Sequence, residues 1–187
     1  MVATYSLFYI MTAFAQAYSR TPATLSEAGY PMGLGIPANT FTGLLLMSAI
    51  VFAIFISISG LYADKIGRRK WLIWTTVSIL IFALCMPLFL GNGTPASVFA
   101  FLVIGMALMG MTFGPMAALL PELFPTEVRY SGASLAYNIA SIIGATIAAM
   151  ISLKINALYG LMGVGIYLAI NAFLTLLALL ASKETKN

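Results

Sequence analysis

The sequence has no histidine, a single cysteine and few charged residues. Lysine, arginine, aspartate and glutamate together make up 7% of its 187 residues, whereas a soluble domain carries about 25%. Without histidine, an imidazole metal site and histidine-based acid–base catalysis are excluded. Cys85 lies alone in an apolar run, so it has no internal disulfide partner and is expected to be a small packing residue. No cofactor or resident metal is predicted.

What the sequence does have is apolar length. Hydrophobic residues make up 61% of the chain, more than a soluble fold of this size can bury, so lipid is the expected solvent. Six runs approach the roughly 20 residues that cross a bilayer core as a helix, and their apolar character is continuous rather than alternating. The sequence therefore predicts an all-α integral membrane protein with one six-helix transmembrane bundle over residues 1–187. The predicted spans are Val2–Ser19, Asn39–Gly60, Trp71–Gly91, Ala96–Leu119, Ser131–Leu153 and Leu158–Ala181.

The net charge of +4 could indicate a nucleic-acid partner, but the basic residues lie beside the predicted spans. Loops 61–70 and 120–130 and the tail share one side of the membrane. That side carries Lys65, Arg68, Arg69, Lys70, Arg129, Lys183 and Lys186, and the other side carries Arg20 and Lys154. Because basic loops stay in the cytoplasm, we predict that both termini are cytoplasmic. The expected location is the plasma membrane (the inner membrane of a bacterium), with the bilayer and no nucleic acid as partner.

The first predicted span has an alternative interpretation as a signal peptide. Ala13-Phe14-Ala15 is similar to a cleavage site. A signal peptide also needs a basic segment before its apolar run, and the residues before this run carry no lysine or arginine. A membrane helix is therefore the favoured interpretation.

The loop between the second and third predicted spans carries more than basic anchors. Asp64 follows Gly60 by four residues and precedes Gly67 by three. Gly67 permits a tight reversal because it lacks a Cβ. Arg68 and Arg69 can pair with carboxylates or cap helix carbonyls across the cytoplasmic face.

A second charged segment, residues 120–132, follows the fourth predicted span. Its prolines are expected to end that span and to keep the loop from continuing as helix. Glu122 and Arg129 are suited to pairing at the cytoplasmic ends of the fourth and fifth spans.

The first of these loops resembles the signature loop of the major facilitator superfamily, Gly-x-Leu-x-Asp-Arg-x-Gly-Arg-Arg-Lys, with Lys65 in place of the usual arginine. In that superfamily the loop follows the second helix of each six-helix half. The resemblance implies a charge latch that holds the cytoplasmic ends together and breaks as the transporter rocks. It assigns this role to Asp64, Gly67, Arg68 and Arg69. Topological anchoring by the basic residues alone is the alternative.

Residues 120–132 resemble the loop after the tenth helix in the metabolite:proton symporter branch, whose members carry shikimate, α-ketoglutarate, proline/betaine and similar solutes. Tyr9–Tyr18 is similar to the seventh helix of that branch, and Lys183–Thr185 to its usual ending. The resemblance thus covers nearly the whole chain and implies the C-terminal half of the fold. Gly144-Ala145-Thr146 departs from the Gly-Gly that usually continues the eleventh helix. This departure leaves open how similar the chain is to any one member of the branch.

The same resemblance implies which helices face the solute, since the first and fourth helices of each half line the cavity. Tyr5, Tyr9, Thr12 and Gln16 recur at spacings of four, three and four residues, which places them on one face of the first span. The further candidates are Thr112 on the fourth span and Tyr137 and Asn138 on the fifth. Hydrogen bonding between helices is the alternative role for these side chains.

No acidic or basic residue lies deep in any predicted span, although proton relays are usually built from such residues. We therefore expect the titrating carboxylate in a missing N-terminal six-helix half. The leading hypothesis is the C-terminal half of a secondary active transporter, with proton-coupled symport of a small organic acid or osmolyte by alternating access. The alternative is a truncated membrane protein with a structural or assembly role. An enzyme is not expected, because Asp64, Glu122, Glu127 and Cys85 form no pattern of nucleophile and base.

Overall fold

The computed structural model of the chain describes residues 1–182, apart from the side chains of residues 145–147. The tail residues Lys183, Glu184, Thr185 and Lys186, on which part of the sequence interpretation depends, lie outside the described residues. The helical elements are α1 (Val2–Tyr9), a π-helical turn (Ile10–Phe14), α2 (Ala15–Arg20), α3 (Ala38–Ile66), α4 (Arg68–Leu90), α5 (Pro95–Glu122), α6 (Arg129–Ser141), a second π-helical turn (Ile142–Thr146) and α7 (Ile147–Ala181).

Four stretches of the described residues are long and apolar enough to cross a membrane. They are α3, α4, α5 and the continuous stretch Arg129–Ala181. The last of these covers 53 residues, and Gly160 leaves the helical conformation within it, with a φ of 67° and a ψ of −172°. The prediction of an all-helical membrane protein is therefore confirmed, whereas the count of six spans stays a prediction.

A glycine and a threonine cap fix two of the helix boundaries. Gly67 is the single residue between α3 and α4, and its φ of 106° is one that other residues rarely adopt. Its N–H bonds the Ala63 carbonyl at 3.0 Å, so one helix ends and the next begins within one residue. At the start of α5, Thr94 Oγ1 accepts the N–H of Ser97 at 3.2 Å, and Pro95 takes the first helical position.

Proline does not end α5 where the sequence predicts. The helix continues through Pro115 and Pro121 to Glu122, three residues beyond the predicted end at Leu119. A proline removes one N–H and leaves the carbonyl four residues earlier without its helical donor, but neighbouring groups in a membrane protein can replace that donor. Glu122 consequently belongs to the last turn of a helix and not to a loop.

The buried core lies where α1, the first π-helical turn, α4, α5 and α7 meet. Phe14, Met86 and Phe101 are among its largest fully buried side chains. Helix α3 contributes little to this core and leaves Leu46 65% and Ile50 62% exposed. An apolar face of this kind requires lipid or another polypeptide against it.

The connection of residues 21–37 is folded against the helix ends. Asn156 of α7 donates its side-chain N–H to the Pro31 carbonyl at 3.0 Å. The ring of Tyr30 packs on Gly160 so closely that a Cβ there would lie 2.6 Å from the ring. This connection therefore covers the point at which α7 breaks.

Candidate functional site

Arg68 joins three helices at one end of the bundle. It is the first residue of α4, and its Nε donates to Asp64 Oδ1 of α3 at 2.9 Å. Its Nη1 donates to Glu122 Oε1 in the last turn of α5 at 2.5 Å. A guanidinium can serve both carboxylates at once because its donors form a planar fork. The side chains of Arg68, Asp64 and Glu122 are 20%, 57% and 38% exposed.

Arg69, the next residue, binds a different helix. Its Nε donates to the Leu179 carbonyl at 2.8 Å, and its Nη2 donates to the Leu180 carbonyl at 2.7 Å. The last carbonyls of a helix have no partner within the helix, and a basic side chain there also interacts favourably with the helix dipole. The turn around Gly67 thus contacts the end of α5 through one arginine and the end of α7 through the other.

Arg129 lies apart from this ion-paired group. Its Nε donates to the Phe124 carbonyl at 3.4 Å, and the structure places Glu122 with Arg68 instead. Arg129 lines an open groove of about 560 Å³ whose lining also includes Ser134 and Tyr137. A residue expected in the latch therefore lies beside one expected to face solute.

Three of the predicted solute-facing side chains hydrogen-bond within their own helical segment. Thr12 Oγ1 donates to the Phe8 carbonyl at 2.8 Å, and Thr112 Oγ1, which is buried, donates to the carbonyl of residue 109 at 2.8 Å. With its amide oxygen turned toward Arg20, Gln16 accepts from the guanidinium at 2.9 and 3.0 Å. These contacts lie within one helical segment and are not the bonds between helices that were the alternative, so the solute-facing role of these side chains stays a prediction.

The tyrosines are placed differently. Tyr5 of α1 and Tyr137 of α6 line the same narrow cleft together with Phe113. The cleft holds about 10 Å³, which is about the space of one water molecule. Tyr9, half-buried, packs edge-on against Phe8 at 5.2 Å between ring centroids. A solute of several heavy atoms has no room in this cleft. A solute site at these tyrosines would therefore need space beyond the cleft.

Asn138 is exposed on α6. Its Nδ2 donates to the Ser134 carbonyl at 2.8 Å, one turn earlier in the same helix.

Within residues 1–182, no group of three Cys, Asp or Glu side chains is arranged to hold a metal ion.

Sequence reasoning assigned no role to Trp71. Its Nε1 donates to the Met111 carbonyl of α5 at 2.9 Å. The sequence feature that indicates this contact is Pro115, because a proline there leaves the Met111 carbonyl without its helical donor.

The described residues form a bundle of membrane-length helices with an ion-paired group at one end and uncharged polar groups along the helices. The sequence also matches the family model described as sugar (and other) transporter, over residues 33–187. The chain therefore belongs to this family of membrane transporters, and its assignment to the major facilitator superfamily is confirmed.

The relatives are transport proteins too. The chain is 86% identical over its whole length to a Haemophilus influenzae protein provisionally named as a metabolite transport protein, and it spans 43% of that protein. It is 52% identical to the inner membrane metabolite transport protein YhjE of Escherichia coli, of which it spans 41%. Over 78% of its length it is 32% identical to a Salmonella typhimurium proline/betaine transporter, of which it spans 29%. No solved structure matches the chain.

Proposed function

We propose that the chain is the C-terminal six-helix half of a secondary active transporter of the metabolite:proton symporter branch. Together with an N-terminal half it would carry a small organic acid or osmolyte by alternating access. The observation that carries this proposal is the bridge from Arg68 to Asp64 and Glu122, at 2.9 and 2.5 Å. Ion pairs between partly exposed groups contribute about 0.2–1 kcal/mol, so this bridge can form and break within a transport cycle.

The six spans in this proposal follow the helices. The first comprises α1, the π-helical turn and α2, and α3, α4 and α5 are the next three. The fifth runs from α6 into α7, and the sixth is the part of α7 after Gly160, where the helical conformation is interrupted. The turn around Gly67 then lies in the cytoplasm, because four basic residues stand within residues 65–70.

The partner in the proposal is the other half of the same transporter. The chain spans 43% of a relative to which it is 86% identical, so the relative has room for a further set of helices. Helix α3 exposes Leu46 and Ile50, and α6 exposes Leu135 at 62% and Tyr130 at 88%. Helix α6 also exposes Asn138. The face of α6 mixes apolar and polar groups and is therefore better matched to a protein partner than to lipid tails.

The proposed solute is small and polar, and this half would contact it without charge inside the membrane. Tyr5 and Tyr137 offer hydroxyl groups, which both donate and accept hydrogen bonds. At the cytoplasmic end, the groove with Arg129 offers a cation suited to a carboxylate. The relatives named for metabolites and for proline/betaine support this solute class. Proton coupling and any acid that titrates would belong to the other half, and no catalytic role is proposed.

The test is solute uptake into proteoliposomes. The chain alone is expected to give no protonophore-sensitive uptake of proline, glycine betaine or α-ketoglutarate. Reconstitution with the N-terminal half of the 86% identical relative is expected to give uptake of at least one of them. Uptake by the chain alone would contradict the proposal. The proposal would also be contradicted if the two halves bind each other and still give no uptake.

A matched pair of variants tests the latch in that assay. Arg68→Gln removes the bridge to both carboxylates and is expected to lower uptake by the assembled halves. Lys70→Gln removes a neighbouring, exposed positive charge from the same turn and is expected to leave uptake close to that of the unchanged chain. Equal effects of the two variants would favour simple topological anchoring.

A further inference from the structure

Two successive carbonyls of α5 accept hydrogen bonds from neighbouring helices. Ser59 Oγ of α3 donates to the Gly110 carbonyl at 3.0 Å, and Trp71 Nε1 of α4 donates to the Met111 carbonyl at 2.9 Å. Met111 stands four residues before Pro115, so its carbonyl is the one that lacks a helical N–H donor. In lipid such a carbonyl needs a donor from elsewhere, and the indole of Trp71 supplies it.

Ser59 and Trp71 differ in which groups lose a hydrogen-bond partner when the bond to α5 breaks. Ser59 has one hydroxyl proton and two acceptors in reach, the Gly110 carbonyl and the Ile56 carbonyl of its own helix at 2.9 Å. If α5 moves away, this proton can stay with Ile56. Release of Trp71, by contrast, leaves both an indole N–H and a proline-freed carbonyl unpaired. The turn of α5 that Pro115 interrupts therefore depends mainly on Trp71.

The proline within α4 provides a comparison. Pro87 of α4 frees the carbonyl of Ala83. Gly165 of α7 packs against that oxygen so closely that a Cβ would have no room. This contact offers a C–H group, which is a weak donor. The proline-freed carbonyl of α4 is thus covered by backbone packing, whereas that of α5 is held by a hydrogen bond that one side chain can make or break.

Trp71 is also connected to the latch. It lies three residues after Arg68, in the first turn of α4, and its ring stacks on Tyr62 of α3 at 6.1 Å. The same turn therefore holds α5 at Met111 and again at Glu122. Met111 and Glu122 are eleven residues apart, about 16 Å along a helix. Pro115 and Pro121 both lie between them.

We propose that Trp71 is a positioning residue that holds the turn of α5 interrupted by Pro115, and that the transport cycle breaks the Trp71–Met111 bond together with the Arg68 bridge. This inference rests on the proposed function for its role in transport. Its structural part, the hold of one indole on one proline-freed carbonyl, is independent of solute and coupling ion.

Hydrogen exchange of the whole chain in detergent micelles tests the structural part. Trp71→Phe keeps an aromatic ring and removes the N–H, and we expect amides of residues 112–120 to exchange about three- to tenfold faster, because the Met111 carbonyl, which lacks a helical donor, loses its partner. Trp74→Phe is the matched control, since Trp74 is 74% exposed, and it should leave this exchange unchanged.

Pro115→Ala provides the rescue. Alanine at this position restores the N–H that Met111 needs, so adding Trp71→Phe to Pro115→Ala should change exchange less than twofold. If Trp71→Phe acts equally with and without the proline, ring packing and not the hydrogen bond holds this turn of α5, and the inference fails. The same conclusion follows if Trp71→Phe and Trp74→Phe behave alike. If Trp71→Phe fails to fold while the double variant folds, the rescue supports the inference.

Uptake by the assembled halves tests the transport part. We expect Trp71→Phe to change the maximal rate at least threefold with the KM for the solute within twofold, and Trp74→Phe to change neither. Unchanged rates in Trp71→Phe would refute the coupling to transport. If the two halves without substitutions give no uptake, the proposed function is contradicted. The hydrogen-exchange experiment would still test whether Trp71 holds α5.

Discussion

Valine in place of Gly110 tests how tightly α3 and α5 are packed. A Cβ at this position would lie 2.7 Å from the Phe52 carbonyl oxygen and 2.8 Å from the Phe55 Cβ, whereas an ordinary contact is at least 3.4 Å. The helices would have to separate by about 0.7 Å, because these atoms belong to or adjoin the α3 backbone and cannot rotate away. That shift would lengthen the 3.0 Å bond from Ser59 Oγ to Gly110 to about 3.7 Å, beyond hydrogen-bonding distance.

The expected loss in the free energy of unfolding is about 1–3 kcal/mol, the usual effect of overpacking. Reversible unfolding of the purified chain in mixed micelles, followed by tryptophan fluorescence during a titration with sodium dodecyl sulfate, measures it. Gly43→Val is the matched control in α3, because a Cβ at Gly43 would meet nothing within 4 Å; it should shift the free energy by less than about 0.5 kcal/mol. If Gly110→Val unfolds at the same free energy as Gly43→Val, the close approach of α3 and α5 is refuted.

Two further substitutions test the turns at the helix ends. Gly67→Ala should lower the free energy of unfolding by about 1–3 kcal/mol, since alanine is strained at a φ of 106°; equal stability in the same titration would contradict this backbone conformation. Asn156→Ala removes the donor to Pro31 and should accelerate hydrogen exchange within residues 21–37 without changing α3, which serves as the internal control. Unchanged exchange in that connection would mean that the amide does not hold it.

Composition and one loop motif were enough to predict the class of protein. A chain with 7% charge and 61% hydrophobic residues has to place its backbone in lipid, and helices satisfy their own hydrogen bonds there. The spacing of Asp64, Gly67 and the two arginines pointed to the superfamily, which the match over residues 33–187 confirms. The number of spans, their orientation and the latch role stay predictions.

Contacts between distant parts of the chain were the harder part. Arg68 and Glu122 lie 54 residues apart, and their charges alone do not reveal that they meet, since Arg129 was an equally suitable partner for Glu122. Helical spacing placed Thr12 on one face with the tyrosines. It could not show that the hydroxyl bonds its own helix, because periodicity identifies a face and not what lies against it.

Trp71 shows a different limit of sequence reasoning. A tryptophan next to basic residues at the end of an apolar run is typical of membrane-interface anchoring, and Trp74, which is 74% exposed, agrees with that interpretation. The distinguishing information is in another helix, where Pro115 leaves one carbonyl without a donor. A search for proline-freed carbonyls in predicted membrane helices, paired with nearby N–H or O–H side chains, would have identified Trp71 as a candidate.

The two contacts that the start of α4 makes with α5 differ in strength in a way that bears on their roles. The pair formed by Arg68 and Glu122 is partly exposed, so water and salt limit it to about 0.2–1 kcal/mol. The bond from Trp71 to Met111 lies farther from the helix end, and polar bonds between membrane helices contribute about 0.6–2 kcal/mol. The ion pair therefore responds to the ionic strength of the surrounding solution more strongly than the hydrogen bond of the indole does. High salt should therefore weaken the contact between Arg68 and Glu122 and leave the bond from Trp71 to Met111 in place.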